Sequence, residues 1–359
     1  MAHKAESGVA HVFGGQPSLP NGHIVSVECD ITKGLHAFAI VGLPDKAVEE
    51  AKDRVSAAIK NSKFESPKKC NKKIVVSLAP AELKKEGAVF DIPIALSFLL
   101  ASKQLKFNPE LKLFAGELSL DGHVCPIRGT LSLARAARDS GFQEIFVPEQ
   151  NADEASLVSG ITVYPIRTLL DVARHLAHDV EFSLTHHVQK KLRTEEYAES
   201  GIPTLDDIRG QETAKRAVEI ASAGRHNIAL YGPPGTGKTM LARATVSLLP
   251  PLTEDEMLEV TTIHSLAGIL RGSAVLYPPF RSPHHTSSYA SLIGGGSVPR
   301  PGEVTLAHRG VLFLDEFPEF HRDVVQALRE PLEDGRVSVS RAKGSTLFPA
   351  HFMLVAALN

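Results

Sequence analysis

The most constraining feature of this 359-residue chain is a glycine-rich segment at residues 232–239. Its sequence, Gly-Pro-Pro-Gly-Thr-Gly-Lys-Thr, has the spacing G-x-x-x-x-G-K-[ST]. Residues 227–231 before it are apolar and predict a strand, and residues 239–249 after it predict a helix. Between a strand and a helix, glycines let backbone N–H groups turn inward around a polyanion, and the helix N-terminus adds partial positive charge. The segment therefore predicts a phosphate-binding loop in an α/β unit.

A second motif supplies acidic groups. Residues 311–314 are apolar and predict a buried parallel strand, which Asp315 and Glu316 follow. We expect Lys238 to contact the β- and γ-phosphates of a nucleotide, and Thr239 to bind Mg²⁺ with Asp315, which acts through water. Glu316 is expected to polarise the attacking water.

A third apolar stretch ends at Asn359. Residues 352–358 predict another strand, and an asparagine at its end would lie between the two motifs and orient the water. An ordinary chain-terminal asparagine stays open as the alternative.

Composition limits the class of protein. The length predicts two or three domains, and 43% hydrophobic with 22% charged residues is typical of a soluble globular chain. No apolar run approaches the roughly 18 residues of a membrane helix, and residues 1–6 lack an apolar signal core. The three cysteines lack CxxC spacing, which disfavours disulfides and structural zinc. We therefore expect a cytoplasmic protein without membrane contact.

Charge limits the partners. The net charge of −2 excludes a global basic field for nucleic acid, so DNA contacts would need local patches. One candidate patch is a lysine cluster, for which phosphate contacts and a solvated loop face both stay open. Its members are Lys68, Lys69, Lys72, Lys73, Lys84 and Lys85.

A polar stretch near residues 178–203 divides the chain. We expect an N-terminal α+β domain at residues 1–180, a linker at 181–204, and an α/β core with a parallel sheet between helices at 205–359. In the N-terminal domain, strands are predicted at 36–41, 73–78, 144–147 and 161–164, a hairpin at 111–127, and helices at 44–61, 91–100, 130–140, 152–158 and 169–178. The core has a further predicted helix at 212–223 and a hairpin-like segment at 337–350.

The three motifs resemble, in their order, the Walker A, Walker B and sensor 1 elements of AAA+ ATPases. Residues 207–211 also resemble the entry motif of that family, whose backbone near Ile208 contacts adenine. The resemblance implies ATP and Mg²⁺ as ligands, with Lys238, Glu316 and Asn359 as catalytic residues and Thr239 and Asp315 as metal ligands. The nucleotide-binding residues would be Ile208, Gly232, Pro233, Pro234, Gly235, Thr236, Gly237, Lys238, Thr239 and Met240.

Four further strings place the chain within AAA+ proteins. Residues 280–286 (Phe-Arg-Ser-Pro-His-His-Thr), 292–296, 299–303 and 329–335 resemble the magnesium-chelatase-like branch and its ComM/YifB group. This resemblance implies a homo-oligomeric ring, a hexamer by family, that hydrolyses ATP and acts on DNA in branch migration during natural transformation. The alternative is a nucleotide-dependent assembly or chaperone module. Chlorophyll chemistry is not expected, because true chelatase subunits lack the string at residues 281–286 and this N-terminal domain.

Two features of these strings allow several interpretations. Adjacent residues of an extended loop point to opposite sides, so His284 and His285 are expected to be polar loop residues or pore contacts rather than ligands of one metal. The glycines at 294–296 fit a mobile loop at the centre of a ring or a plain flexible turn.

The N-terminal domain resembles the proteolytic domain of Lon at residues 77–95, 116–128 and 142–151. The catalytic serine of Lon lies in a Gly-Pro-Ser-Ala-Gly segment, and the matching residues 87–91 here are Gly-Ala-Val-Phe-Asp. The lysine of Lon falls near residues 130–132, where this chain has none. A Ser–Lys nucleophile needs both groups, so we expect a protease fold without protease activity that serves assembly or DNA contact.

Family members continue for roughly a third beyond Asn359, where the helical lid, the sensor 2 arginine and the arginine finger are expected. We therefore expect this chain to bind ATP·Mg²⁺ weakly and to hydrolyse it slowly.

Overall fold

The computed structural model describes residues 9–69, 71–188, 202–295, 300–341 and 344–359. The chain divides into two compact units, Met1–Lys190 and Lys191–Asn359. Of the predicted linker, residues 189–201 lie outside the described residues. Within the described ranges, no helix combines the length and apolar character needed to cross a membrane.

The N-terminal unit contains a mixed seven-stranded sheet in the order β3-β4-β2-β1-β5-β8-β9. Its described strands are β1 (Ala10–Gln16), β2 (His23–Lys33), β3 (Ala37–Val41), β4 (Lys72–Ala79), β5 (Lys112–Phe114), β6 (Glu117–Leu118), β7 (Val124–Cys125), β8 (Glu144–Pro148) and β9 (Thr162–Ile166). Its described helices are α1 (Lys46–Asn61), α2 (Asp91–Ala101), α3 (Thr130–Asp139), α4 (Ala152–Ala155) and α5 (Leu169–Leu176). Strand β2 is antiparallel to both of its neighbours, and the other pairs of neighbours in this sheet are parallel.

The core of this unit forms where α2 packs against β1 and β2. Residues Asp91 to Leu99 of α2 are all buried. The helix approaches β1 so closely that a Cβ at Gly14 would lie 2.9 Å from Pro93. A glycine in β1 therefore permits the contact that buries α2.

One sequence prediction for this unit was wrong, and two strands were not predicted. The strands predicted from sequence begin at residue 36, whereas β1 and β2 precede it and lie near the centre of the sheet. The predicted hairpin at 111–127 is also divided, because β5 joins the main sheet and only β6 and β7 pair across the Asp121–Gly122 turn. Between β5 and β6 the backbone of Gly116 bonds to Val89 and Ile92, which turns the chain toward α2.

The C-terminal unit contains a four-stranded sheet of wholly parallel strands in the order β10-β17-β14-β11. Its described helices are α6 (Glu212–Gly224), α7 (Lys238–Leu248), α8 (Glu254–Ala267), α9 (Tyr289–Ile293), α10 (Glu303–Leu306), α11 (Arg322–Ala327) and α12 (Arg329–Asp334). Its described strands are β10 (Ile228–Tyr231), β11 (Phe280–Arg281), β12 (Gly294–Gly295), β13 (Arg300–Pro301), β14 (Val311–Leu314), β15 (Arg336–Arg341), β16 (Gly344–Pro349) and β17 (Met353–Leu358). The predicted fold class and the hairpin of β15 with β16 are confirmed.

Parallel pairing fixes the location of the chemistry-bearing residues in this unit. All four residues of β14 are buried, as its apolar sequence predicts, and Phe313 packs in one core with Leu230, Val355 and Leu241. Since the four strands run in the same direction, their carboxyl ends meet at one edge of the sheet. The segments that begin after β10, β11, β14 and β17 therefore start together at that edge, where open α/β sheets bind their ligands.

Candidate nucleotide-binding site

The glycine-rich segment forms the turn between β10 and α7. Gly235 and Gly237 have φ of +84° and +86°, a region that L side chains rarely adopt, so both positions favour glycine. Gly237 is also the N-cap of α7, and Thr236 Oγ1 donates to Pro233 O at 2.9 Å. The loop thus presents the N-terminus of an 11-residue helix toward the carboxyl edge of the sheet.

Lys238 joins two distant segments at this edge. Its Nζ donates to Asn359 Oδ1 at 2.7 Å, to Gly232 O at 2.5 Å and to Pro233 O at 3.1 Å. All three acceptors are neutral amide oxygens, so they orient the ammonium without cancelling its charge. The asparagine after β17 thus lies against the lysine of the loop.

Thr239 and Asp315 form the second link. Thr239 Oγ1 donates to Asp315 Oδ2 at 3.1 Å, across 76 residues of sequence. A hydroxyl and a carboxylate at this separation form an oxygen donor set of the kind that Mg²⁺ prefers. The donor set therefore fits the ion that the sequence predicts there.

Glu316 follows Asp315 but has a different partner. Its backbone has a φ of +53°, which is uncommon for a residue other than glycine, and its N–H donates to Asp315 Oδ1 at 3.0 Å. Its Oε2 lies 3.2 Å from His285 Nδ1. Both residues are candidates from sequence, but their contact is not predicted by any sequence pattern.

The prediction that His284 and His285 point to opposite sides was wrong. Their ring centroids lie 4.2 Å apart. The backbone is not extended here, because Ser287 N donates to His284 O and closes a turn. Alternation of side chains applies only to extended backbone, and a turn lets adjacent rings pack together.

A bidentate ion pair holds the start of the same segment. Arg281, the last residue of β11, donates from Nε and Nη2 to the two carboxylate oxygens of Glu303 at 2.6 and 2.7 Å. Glu303 is the first residue of α10. The pair fixes the path of the chain from β11 toward His285.

The remaining predicted residues lie outside this hydrogen-bonded group. Ile208 is 6% exposed and belongs to the apolar core beside α6 and α7. Met240 is 39% exposed on α7. Gln211, from the predicted entry motif, donates weakly to Thr236 O at 3.5 Å and so connects that motif with the glycine-rich loop. Of the glycine string at 294–296, Gly296 lies outside the described residues, and Gly294 and Gly295 form β12.

In the N-terminal unit, the segment matched to the Lon serine is part of the core. Val89 is 6% exposed, and the Asp91 carboxylate accepts from Arg54 Nε at 2.8 Å and Nη2 at 3.0 Å. Burial raises the pKa of Asp91 to about 6, an effect that Arg54 opposes. In the stretch matched to the Lon lysine, Ser132 is fully buried and donates to Gly129 O.

The lysine cluster is divided among different environments. Lys85 is fully buried and donates to Pro80 O, while Lys68 pairs with Asp53 and Lys84 with Glu86. At least three of its six members therefore have partners within the chain.

Known proteins match both units. The family description "Magnesium chelatase, subunit ChlI" matches residues 204–359, and "Subunit ChlI of Mg-chelatase" matches residues 27–151. The competence protein ComM of Haemophilus influenzae is 46% identical over 341 residues, which is 94% of this chain and 65% of that protein. The chain belongs to the magnesium-chelatase-like ComM/YifB family.

Two further proteins are similar to this chain. YifB of Escherichia coli is 44% identical over 339 residues, which is 93% of this chain and 65% of YifB. Lon protease 2 of Bacillus subtilis is 30% identical over 183 residues, which is 47% of this chain and 31% of that protease. The chain thus spans about 65% of the length of ComM and of YifB. It also has the predicted similarity to Lon.

Proposed function

We propose that the C-terminal unit binds ATP with Mg²⁺ at the carboxyl edge of its parallel sheet and hydrolyses the bond between the β- and γ-phosphates. One observation supports this most strongly: Lys238 bonds to Asn359 and Thr239 bonds to Asp315, so that three strand ends form one site. Membership in an AAA+-type ATPase family agrees with that geometry.

Each residue has a separate role in the proposal. Gly232 to Thr236 wrap around the phosphates, to which Gly235 and Thr236 donate backbone N–H groups, since Pro233 and Pro234 have none and the Gly232 N–H donates to Leu358 O. Lys238 binds the β- and γ-phosphate oxygens. Thr239 and Asp315 hold the metal, which when bound neutralises charge that develops on the phosphates. Glu316 accepts a hydrogen bond from the attacking water, and Asn359 orients that water. The backbone near Ile208 contacts the adenine, and Met240 lies on the nucleoside side of the site.

The relatives support a proposal for the wider function. We propose a homo-oligomeric ring, a hexamer as in the family, that uses ATP to act on DNA in the cytoplasm, with branch migration during natural transformation as its task. The name of the Haemophilus relative, a competence protein, supports this assignment. Residues 1–180 would form its Lon-like domain, 181–204 a linker and 205–359 the ATPase core.

We further propose that the Lon-like domain is not a peptidase. Val89 takes the place of the serine and is buried, and the stretch matched to the lysine contains only Thr130, Leu131 and Ser132. A Ser–Lys nucleophile therefore lacks both of its groups. ATP-dependent degradation of casein by the purified chain would contradict this proposal.

Glu316→Gln tests the hydrolysis. The amide keeps the size of the side chain and cannot act as a base, so we expect the ATP dissociation constant to be retained and the hydrolysis rate to fall by roughly 10²- to 10⁴-fold. Glu319→Gln, in the next turn of the chain, is the matched control. Hydrolysis by Glu316→Gln at the wild-type rate would contradict the assigned role.

Branched DNA tests the wider function. Addition of a four-way DNA junction should raise the hydrolysis rate of the wild type above the rates measured with a control protein or with buffer in place of the DNA. Hydrolysis without stimulation by DNA, together with proteins recovered in pull-downs, would favour the alternative of an assembly or chaperone module.

A further inference from the structure

His285 contacts the proposed catalytic carboxylate from a different part of the chain. Its Nδ1 lies 3.2 Å from Glu316 Oε2, and the two residues are 31 positions apart. The side chains of His285 and Glu316 are 31% and 50% exposed. Nothing in the roles proposed above requires a histidine at this place.

Contacts of neighbouring residues hold His285 in position, independently of its contact with Glu316. The Arg281–Glu303 pair fixes the chain where β11 ends, and Arg281 is in register with Leu312 of the strand that leads to Glu316. Beyond it, the turn closed by Ser287 N on His284 O packs the ring of His284 against that of His285. His284 Nδ1 is held in turn by Thr286 Oγ1 at 2.9 Å.

Glu316 needs such a partner. A half-exposed glutamate has several side-chain rotamers, and an unrestrained carboxylate would spend much of its time away from the reacting water. The left-handed backbone at φ +53° sets the direction in which the side chain leaves the strand end. A donor at a fixed point then selects one carboxylate orientation.

We propose that His285 is a positioning residue that holds the Glu316 carboxylate for water activation. It donates from Nδ1–H to Oε2, which leaves Oε1 free to accept a hydrogen bond from the water. The inference rests on the proposed hydrolysis and adds to it the group that orients the base. His285 itself contacts neither the nucleotide nor the metal in this proposal.

The test compares His285→Ala with His285→Asn in the full chain. The asparagine amide nitrogen occupies nearly the position of Nδ1 and donates in the same direction, whereas alanine removes the donor. We expect His285→Ala to lower kcat roughly tenfold or more, with an ATP dissociation constant within about twofold of the wild type. His285→Asn should recover most of kcat.

Two controls separate positioning from a structural effect. His321→Ala removes a side chain of the same unit that is 81% exposed and lies 3.7 Å from Asp323, and it should leave kcat unchanged. In a Glu316→Gln background, His285→Ala should cause no further loss of the residual rate, because it acts only through the carboxylate.

The possible failures can be told apart. A wild type that binds but does not hydrolyse ATP overturns the proposed hydrolysis and this inference with it. If the wild type hydrolyses ATP, three results for the variants would overturn the inference alone. These are a kcat of His285→Ala that equals or exceeds the wild-type value, a kcat of His285→Asn as low as that of His285→Ala, and a loss of nucleotide affinity in His285→Ala that parallels its loss of kcat.

Discussion

At the scale of single residues, two neighbouring acids have different surroundings. Asp315 contacts Thr239 of the glycine-rich loop, and Glu316 contacts His285. At Glu316 the backbone leaves the extended conformation of the strand for a left-handed one, which sets the direction of that side chain. In the proposed site, this separation would let Asp315 hold the metal while Glu316 contacts the attacking water.

Asp315→Asn tests the metal role. The amide keeps the shape but loses the negative charge, so metal affinity should fall roughly 10- to 100-fold. For the wild type, the ATP dissociation constants measured with low Mg²⁺ and with EDTA should differ. For Asp315→Asn, the two dissociation constants should be the same. Asp323→Asn, at an exposed carboxylate of α11, is the control. An Asp315→Asn chain with the wild-type dependence on Mg²⁺ would refute the metal role.

At the scale of elements, α8 is tied to the start of β14. Glu259 of α8 lies 3.0 Å from His308 Nε2 and 3.2 Å from Arg309 Nε, just before the strand begins. The contact with His308, aided by the charge of Arg309, lowers the pKa of Glu259 from 4.5 to about 2. The ionised carboxylate therefore stabilises the link between the helix and the strand that carries Asp315.

This link predicts an acid response of the C-terminal unit. Because the pKa of Glu259 is lower in the folded state, its contribution is present above pH 4.5 and is lost as the pH falls toward 2. Glu259→Gln should lower the unfolding temperature at neutral pH and flatten the decline between those pH values. Glu254→Gln, at an exposed position of the same helix, should follow the wild-type curve. Parallel curves for Glu259→Gln and the wild type would contradict the assignment.

The elements also show what sequence patterns can predict. The strand, loop and helix of residues 227–249 carry local signals, namely an apolar run, glycines and helical spacing, and their structure follows those signals. Strand β1 lacks such a signal because two glycines interrupt it. Strand β2 has one, since the apolar residues Val25, Val27 and Cys29 alternate with other residues and are buried, so this strand could have been predicted. Helix α8 could also have been predicted, because its Thr253–Glu256 capping box is visible in the sequence.

Contacts between distant segments were predicted less well than the elements themselves. The meeting of the glycine-rich loop with Asp315 could be expected, because both follow parallel strands. The His285–Glu316 contact could not, because it depends on a turn at Ser287 and a left-handed residue at 316. A period-based rule contains neither feature.

At the scale of the whole molecule, the residues of the proposed site all belong to the C-terminal unit. Binding of a triphosphate at the carboxyl edge of its sheet can therefore be measured in this chain. Lys238 joins the glycine-rich loop to the end of β17, so its replacement removes a contact at the centre of the proposed site.

The most direct measurement is ATP·Mg²⁺ binding by the wild type, Lys238→Ala and Arg216→Ala, with folding of each checked by thermal unfolding. Arg216 is an exposed cation of the same unit that pairs with Glu219, and its removal should leave binding unchanged. A hydrogen bond to a charged group is worth roughly 1.5–3 kcal/mol, so Lys238→Ala should weaken binding by about tenfold or more. Equal affinity of the folded Lys238→Ala chain and the wild type, or no binding by the wild type, would contradict the account.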